Sequence, residues 1–104
     1  MKFEDLKAEY AQLWASMATR TSFKPALDAS AQKIIANKDR YQIVSAMTNV
    51  PWYVIGLIHQ MEAGCSFACH LHNGDSLARR TVQVPANRPP TGNGPFKWEA
   101  SACD

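Results

Sequence analysis

The stretch TNVPWYVIGLIHQMEAG, residues 48–64, has less conformational freedom than any other part of this 104-residue chain. Thr48 or Asn49 can cap a helix, Pro51 falls in a first turn where its missing N–H is not needed, and Gly64 supplies a left-handed stop. The residues between are largely apolar, so the segment predicts a buried helix of about three to four turns. Trp52, Ile55, Ile58 and His59 share one face of it, while Met61 and Glu62 fall at its C-terminal end. Gly56 costs ~1 kcal/mol against alanine inside a helix, which points to close approach by another element.

The flanking segments are amphipathic. Phe3, Leu6, Tyr10, Leu13, Trp14 and Met17 recur three and four apart, the spacing of a first helix with a core face. Polar turn formers and Pro25 interrupt it. A second helix runs from about Ala26 to Asn37 with Leu27, Ile34 and Ile35 inward, and a third piece follows around Tyr41, Val44 and Met47. After Gly64 the texture changes. HNGD is a turn signal, and Thr81 to Val84 alternate as a short strand or hairpin arm would. Residues 85–95 read as a surface loop rich in proline and glycine, and KWEASACD opens one more possible helical turn.

The length fits one domain, residues 1–104, and 46% hydrophobic against 19% charged residues is enough apolar material to offset ordering entropy. The net charge of +2 is spread without a Lys/Arg block, which argues against nucleic acid. No run approaches the ~18–20 apolar residues of a membrane span, and MKFEDLKAEY is too acidic for a signal peptide, so a cytoplasmic product is expected. Three cysteines, an odd number, argue against a secreted disulfide framework.

Residues 58–75, IHQMEAGCSFACHLHNGD, concentrate the chemistry. His59, Glu62, Cys65, Cys69, His70 and His72 are all zinc-ligand types, but no second Cys pair follows and the His-x-x-Glu lacks the second histidine of a metalloprotease helix. Cys65 and Cys69 also miss the two-residue gap of a redox dithiol. No metal and no cofactor is expected, although a zinc-binding domain stays open as a third reading. Glu62 is different. An acid at the C-terminal end of an apolar helix opposes the helix dipole, and a dry cleft walled by Trp52 or Phe67 would favour its protonated form, as a general acid requires. A solvated terminal glutamate is the plain alternative.

The motif run then carries a resemblance. RYQIVSAMTNVPWYVIGLIHQME, followed by HLHNGDSLARRTVQVP and PFKWEASACD, resembles a lysozyme-like family of phage and bacterial peptidoglycan hydrolases in which a His-Leu-His-Asn-Gly-Asp-Pro-Leu run is characteristic. The resemblance covers most of the chain. It implies a mainly helical, lysozyme-like α+β fold with a small β-hairpin beside the catalytic helix, and cleavage of peptidoglycan glycan strands by an endolysin-type glycosidase. Glu62 would be the general acid, and Asp75 and Thr81, five residues apart in between, would orient water or stabilise an oxocarbenium-like transition state. Trp52, His59, Phe67, His72, Asn73 and Arg79 would contact substrate, with Arg79 or Arg80 near acidic stem peptides and His70 ordering the loop.

This chain departs from the pattern in two places. Ser76 replaces the usual proline, and Cys65 and Cys69 replace small polar residues. The family also continues past Trp-Glu-x-Ser-Ala into further helices, so a fragment, a minimal domain or one piece of a complex is expected, with a protein partner or C-terminal segment completing the groove. Action at the cell wall would follow release or export. The competing class is a catalytically degenerate binding or structural module of a phage or secretion assembly.

Overall fold

The computed structural model describes residues 2–104 and is mainly helical. The helices are α1 (Phe3–Ser16), α2 (Lys24–Ala36, entered through a 3-10 turn at Thr21–Phe23), α3 (Lys38–Thr48), α4 (Trp52–Ala63) and α5 (Trp98–Ala102). None is long and apolar enough to cross a membrane. Pro51 is itself the N-cap of α4, and Gly64 ends the helix at φ +56°. Thr48 and Asn49, expected as caps of α4, instead close α3: the Thr48 hydroxyl donates to Val44 O at 2.8 Å and Asn49 turns left-handed at φ 60°.

The core lies where α2, α3, α4 and α5 meet. It is built from Ile34, Tyr41, Val44, Ile55 and Trp98, with Leu77 brought in from the long connection between α4 and α5. Tyr41 is fully buried, and its ring stacks on Phe67 at 5.9 Å and meets Trp98 edge-on at 5.8 Å. Arg40 covers the outer side of this cluster, its guanidinium 3.9 Å from the Phe67 centroid and its Nε donating to Glu99 Oε1 at 2.6 Å. One residue of α3 thereby ties α5 and the turn after α4 together.

Gly56 sits at the helix crossing the sequence implied. A Cβ there would lie 2.5 Å from Ile34 Cγ2 and 3.3 Å from Tyr41 Cε2, so α2 and α3 can approach α4 only because the side chain is missing. Gly56→Val is therefore expected to destabilise the chain by about 2–3 kcal/mol through overpacking. Urea denaturation monitored by circular dichroism checks this, and an unchanged midpoint would contradict the packing described.

The helical spacings are correct but several faces are not. Ile34 is buried, whereas Leu27, Ile35 and Met47 are 52%, 63% and 73% exposed. The first helix forms, yet it has no core face, because α1 contacts no other helix. Its apolar stripe stands in solvent.

The expected β-hairpin is also absent: among the described residues there is no strand, only an isolated antiparallel bridge between Cys69 and Ser76. The alternation over residues 81–84 misled for a physical reason. Val82 and Val84 are 66% and 88% exposed and it is Thr81 that is buried, while the amides of Val82 and Gln83, which a partner strand would have used, donate to the Asp75 carboxylate. Residues 85–95 form the irregular and mostly exposed loop that was expected, with Pro89 as its buried point.

Candidate functional site

The last turn of α4 presents Glu62, and the loop from Cys69 to Gln83 folds against it. Contact is made through backbone. Gly74 has φ +79°, and a Cβ on it would lie 2.8 Å from the carbonyl oxygen of Glu62, so only glycine lets the loop tip reach the helix end.

The loop is held rigidly by its own polar groups. His70 N–H donates to Asp75 O at 2.6 Å and Gly74 N–H donates to His70 O at 2.9 Å, closing the turn. The Asn73 side chain accepts from Asp75 N–H at 2.9 Å and donates to Gln83 O at 3.2 Å. Asp75 Oδ2 accepts from the amides of Val82 and Gln83 at 2.8 and 2.9 Å. Those two amides hold the carboxyl of Asp75 below the usual carboxylate range. The HNGD run is thus a stitched turn.

Two buried histidines anchor the arrangement. His70 is fully buried, with Nε2 2.8 Å from Arg79 O and Nδ1 2.6 Å from Ser101 Oγ. A carbonyl can only accept, so Nε2 carries the proton and Nδ1 accepts from the serine hydroxyl. His59 is also fully buried and follows the same logic: Nε2–H donates to Ser66 O at 2.9 Å and Nδ1 accepts from Tyr41 Oη at 2.8 Å. Burial pushes His59 below the ordinary imidazole range, and burial likewise raises the Tyr41 hydroxyl, so each stays neutral and the pair is matched as donor and acceptor.

The expected site residues therefore separate. Glu62 is exposed, and its carboxylate makes no hydrogen bond or ion pair among the described residues. It is open to solvent rather than set in the dry cleft expected around it, and the concavities of about 650, 430 and 350 Å³ are lined by other residues. Trp52 begins α4 and stands ten residues before Glu62, roughly 15 Å along the axis, so it cannot wall that carboxylate. It packs instead beneath Lys38, 5.0 Å from its ring.

His59 has both ring nitrogens engaged inside the fold. Phe67 is half-buried under Arg40. Thr81 is 2% exposed, its hydroxyl donating to Pro85 O and accepting from Arg88 N–H, so the geometry gives it a structural task rather than the expected transition-state contact. Asn73 and Asp75 hold the turn. His72 is half-buried with Nε2 sealed from solvent and unpartnered, and its imidazole is pushed down by burial and then by His70. Arg79 is exposed with its guanidinium unbonded among the described residues, whereas Arg80 donates to Gly92 O at 2.8 Å.

Three residues that matter most to this geometry, Tyr41, Arg40 and Ser101, lie within the runs that carry the resemblance, yet none was expected to have a role in the site. Tyr41 and Val44 could be placed on a core face from their spacing, but nothing local links Ser101 to His70, thirty-one positions earlier. Cys65, Cys69 and Cys103 are free thiols. Among the described residues no group of three or more His, Cys, Asp or Glu side chains is placed to hold a metal ion.

The buried imidazoles set an acid limit on stability. Folding lowers the affinity of His59 and His72 for protons, so their neutral forms stabilise the fold above the unfolded imidazole range and that contribution is lost as pH falls below ~6.5. Asp75 acts lower on the scale, its contribution being present above its ordinary value of 3.8 and lost as pH falls through its depressed folded value. Thermal melts from pH 8 to 3 are expected to show a first decline starting near pH 6.5, and replacing His59 by glutamine should flatten that limb. A flat profile down to pH 4 would contradict it. The chain matches no family model, no curated protein and no solved structure.

Proposed function

We propose that the chain cleaves the glycan strand of peptidoglycan at the cell wall, with Glu62 as the group that protonates the glycosidic oxygen. The observation that carries this reading is a contrast within residues 58–83. His59, His70, Asn73, Asp75 and Thr81 are all bonded into the fold, whereas the Glu62 carboxylate is bonded to nothing among the described residues while its backbone carbonyl lies against Gly74 of the stitched loop. A carboxyl group left free on a rigid support fits a reagent better than a structural part.

In the reaction the Glu62 proton passes to the bridging oxygen and the C1–O bond breaks, releasing one sugar with a new hydroxyl. The positive charge developing at C1 is then captured by water or by the sugar's own 6-hydroxyl, and the proton lost by that nucleophile returns to the Glu62 carboxylate. Asp75 retains one oxygen, Oδ1, outside its amide bonds, and this is the atom available to orient water or face the charge. Water exclusion around Glu62 would come from the glycan itself or from a further protein segment lying over the helix end. Arg79, exposed and with its guanidinium unbonded among the described residues, is suited to the acidic stem peptide.

The exposure of Glu62 favours a second reading, a module that holds peptidoglycan or a protein partner without cutting. Incubation with purified peptidoglycan followed by mass spectrometry of the soluble fraction separates the two. Cleavage is expected to release muropeptides, with a reducing end if water is the nucleophile or one water lighter if the 6-hydroxyl is. Sedimentation of the chain with intact peptidoglycan and no released fragment would replace the enzyme by the binding module.

A further inference from the structure

His59 and His70 spend both ring nitrogens inside the fold, but the side chain of His72 makes no hydrogen bond among the described residues. It lines a hollow of about 350 Å³ whose other walls are Leu71, Pro85, Arg88, Ala102 and Asp104. That volume is at the small end for ligand pockets, with room for one residue-sized group. The walls are tied down from behind. Arg88 N–H donates to Thr81 Oγ1 at 3.0 Å and Arg88 O accepts from Thr81 N–H at 2.9 Å, and Thr81 is itself buried. α5, which brings Ala102, is pinned to the loop through Ser101 and His70 at 2.6 Å. A ligand therefore meets a hollow that is already formed, which lowers the ordering cost of binding.

Arg88 sets the chemistry of the hollow. Its guanidinium donates from Nε to Asp104 Oδ2 at 2.8 Å and from Nη2 to Asp104 Oδ1 at 3.2 Å, so one edge of the fork is held and the plane of the group is fixed. The remaining edge, Nη1 with the second N–H of Nη2, has no acceptor among the described residues, and the side chain is 41% exposed. Two parallel N–H groups on a planar cation match the two oxygens of a carboxylate. Burial keeps the imidazole of His72 neutral near pH 7, so Arg88 is the cation among the residues that line the hollow. Leu71, Pro85 and Ala102 add apolar surface that suits a small side chain next to the carboxylate.

We propose that this hollow takes the terminal carboxylate of a short peptide whose last residue has a small apolar side chain; the identity of that peptide as the alanine-ended stem of peptidoglycan rests on the function proposed above. The position of the hollow suits such a substrate. His72 stands two residues before Gly74, at most about 7 Å along the chain, and Gly74 abuts the Glu62 carbonyl. An extended stem of about five residues reaches roughly 17 Å, so one substrate can place its sugar at Glu62 and its peptide end at Arg88.

Titration of N-acetyl-D-alanyl-D-alanine into the isotope-labelled chain, followed by amide chemical shifts, tests this apart from any cleavage. Saturable shifts are expected at His72, Arg88 and Asp104, with a Kd on the order of 1 mM or below for so small a ligand. The C-terminal amide of the same peptide is expected to bind at least about tenfold more weakly. Arg88→Gln keeps the backbone bonds to Thr81 and removes the fork, so it should weaken the carboxylate by about tenfold or more and leave the amide unchanged. Ala102→Leu keeps the fork and fills the hollow, so it should weaken both peptides. A carboxylate and an amide that bind alike, a chain that gives no saturable shifts with millimolar peptide, or an Ala102→Leu variant that binds as the unmodified chain does overturns the proposal. The cleavage reading fails separately: peptide binding by a chain that releases no muropeptides removes the enzyme and keeps the hollow, whereas muropeptide release without peptide binding removes the hollow alone.

Discussion

Tyr41→Ala is expected to leave most of the chain unfolded at 25 °C. The ring fills the centre of an aromatic group with Phe67, Trp98 and His59, all with centroids within 6 Å of it, and truncating a buried aromatic costs about 3–5 kcal/mol. The lost hydroxyl also strands His59 Nδ1, a buried acceptor, for a further ~1–3 kcal/mol. A domain of this size holds ~5–15 kcal/mol in total, and a core of six buried apolar side chains places this one toward the lower end. Tyr41→Phe separates the two contributions, because it keeps the ring and removes only the hydrogen bond. Urea titration followed by circular dichroism and tryptophan fluorescence gives the numbers. A Tyr41→Ala midpoint close to that of the unmodified chain would show that this aromatic group does not hold the helices together.

Glu62→Gln is expected to lower the rate of peptidoglycan solubilisation by ~10²–10⁴, the range a positioned general acid contributes. Stability should not change, since the side chain is exposed and the substitution breaks no bond to the rest of the fold. That combination separates a reagent from a structural residue. Asp75→Asn provides the contrast: its expected loss of activity is accompanied by loosening of the 70–83 loop, visible as faster amide exchange at Val82 and Gln83, because the depleted charge weakens both amide bonds. A Glu62→Gln variant within tenfold of the unmodified chain would remove Glu62 from the mechanism.

Local sequence was a good guide to helices and a poor one to the loop between them. Pro51 and Gly64 bound α4 as their backbone preferences require, and Gly56 marked a crossing that Ile34 and Tyr41 now occupy. HNGD forms the turn it signalled, and His59 lies inside the fold rather than on a substrate surface. A buried histidine and a sugar-binding histidine look alike in a one-dimensional string, and only the partners distinguish them; here Tyr41 and Ser66 claim both nitrogens of His59. Likewise the resemblance implied catalytic roles for Asp75 and Thr81, whose hydrogen bonds here face inward to Val82, Gln83, Pro85 and Arg88.

Periodicity, caps and stops operate within a few residues, so the chain alone determined where its helices begin and end and which residues could share a face. Which of those faces is covered was decided only in three dimensions. Ile34 and Ile35 are neighbours of equal hydrophobicity, yet one is 7% exposed and the other 63%, because α3 and α4 pack on a single side of α2. Burial belongs to pairs of surfaces, and a helix such as α1 can display a complete apolar stripe without specifying what lies against it. The same holds for Glu62: its place on α4 follows from local rules, but its lack of a partner among the described residues is a property of where the other side chains went.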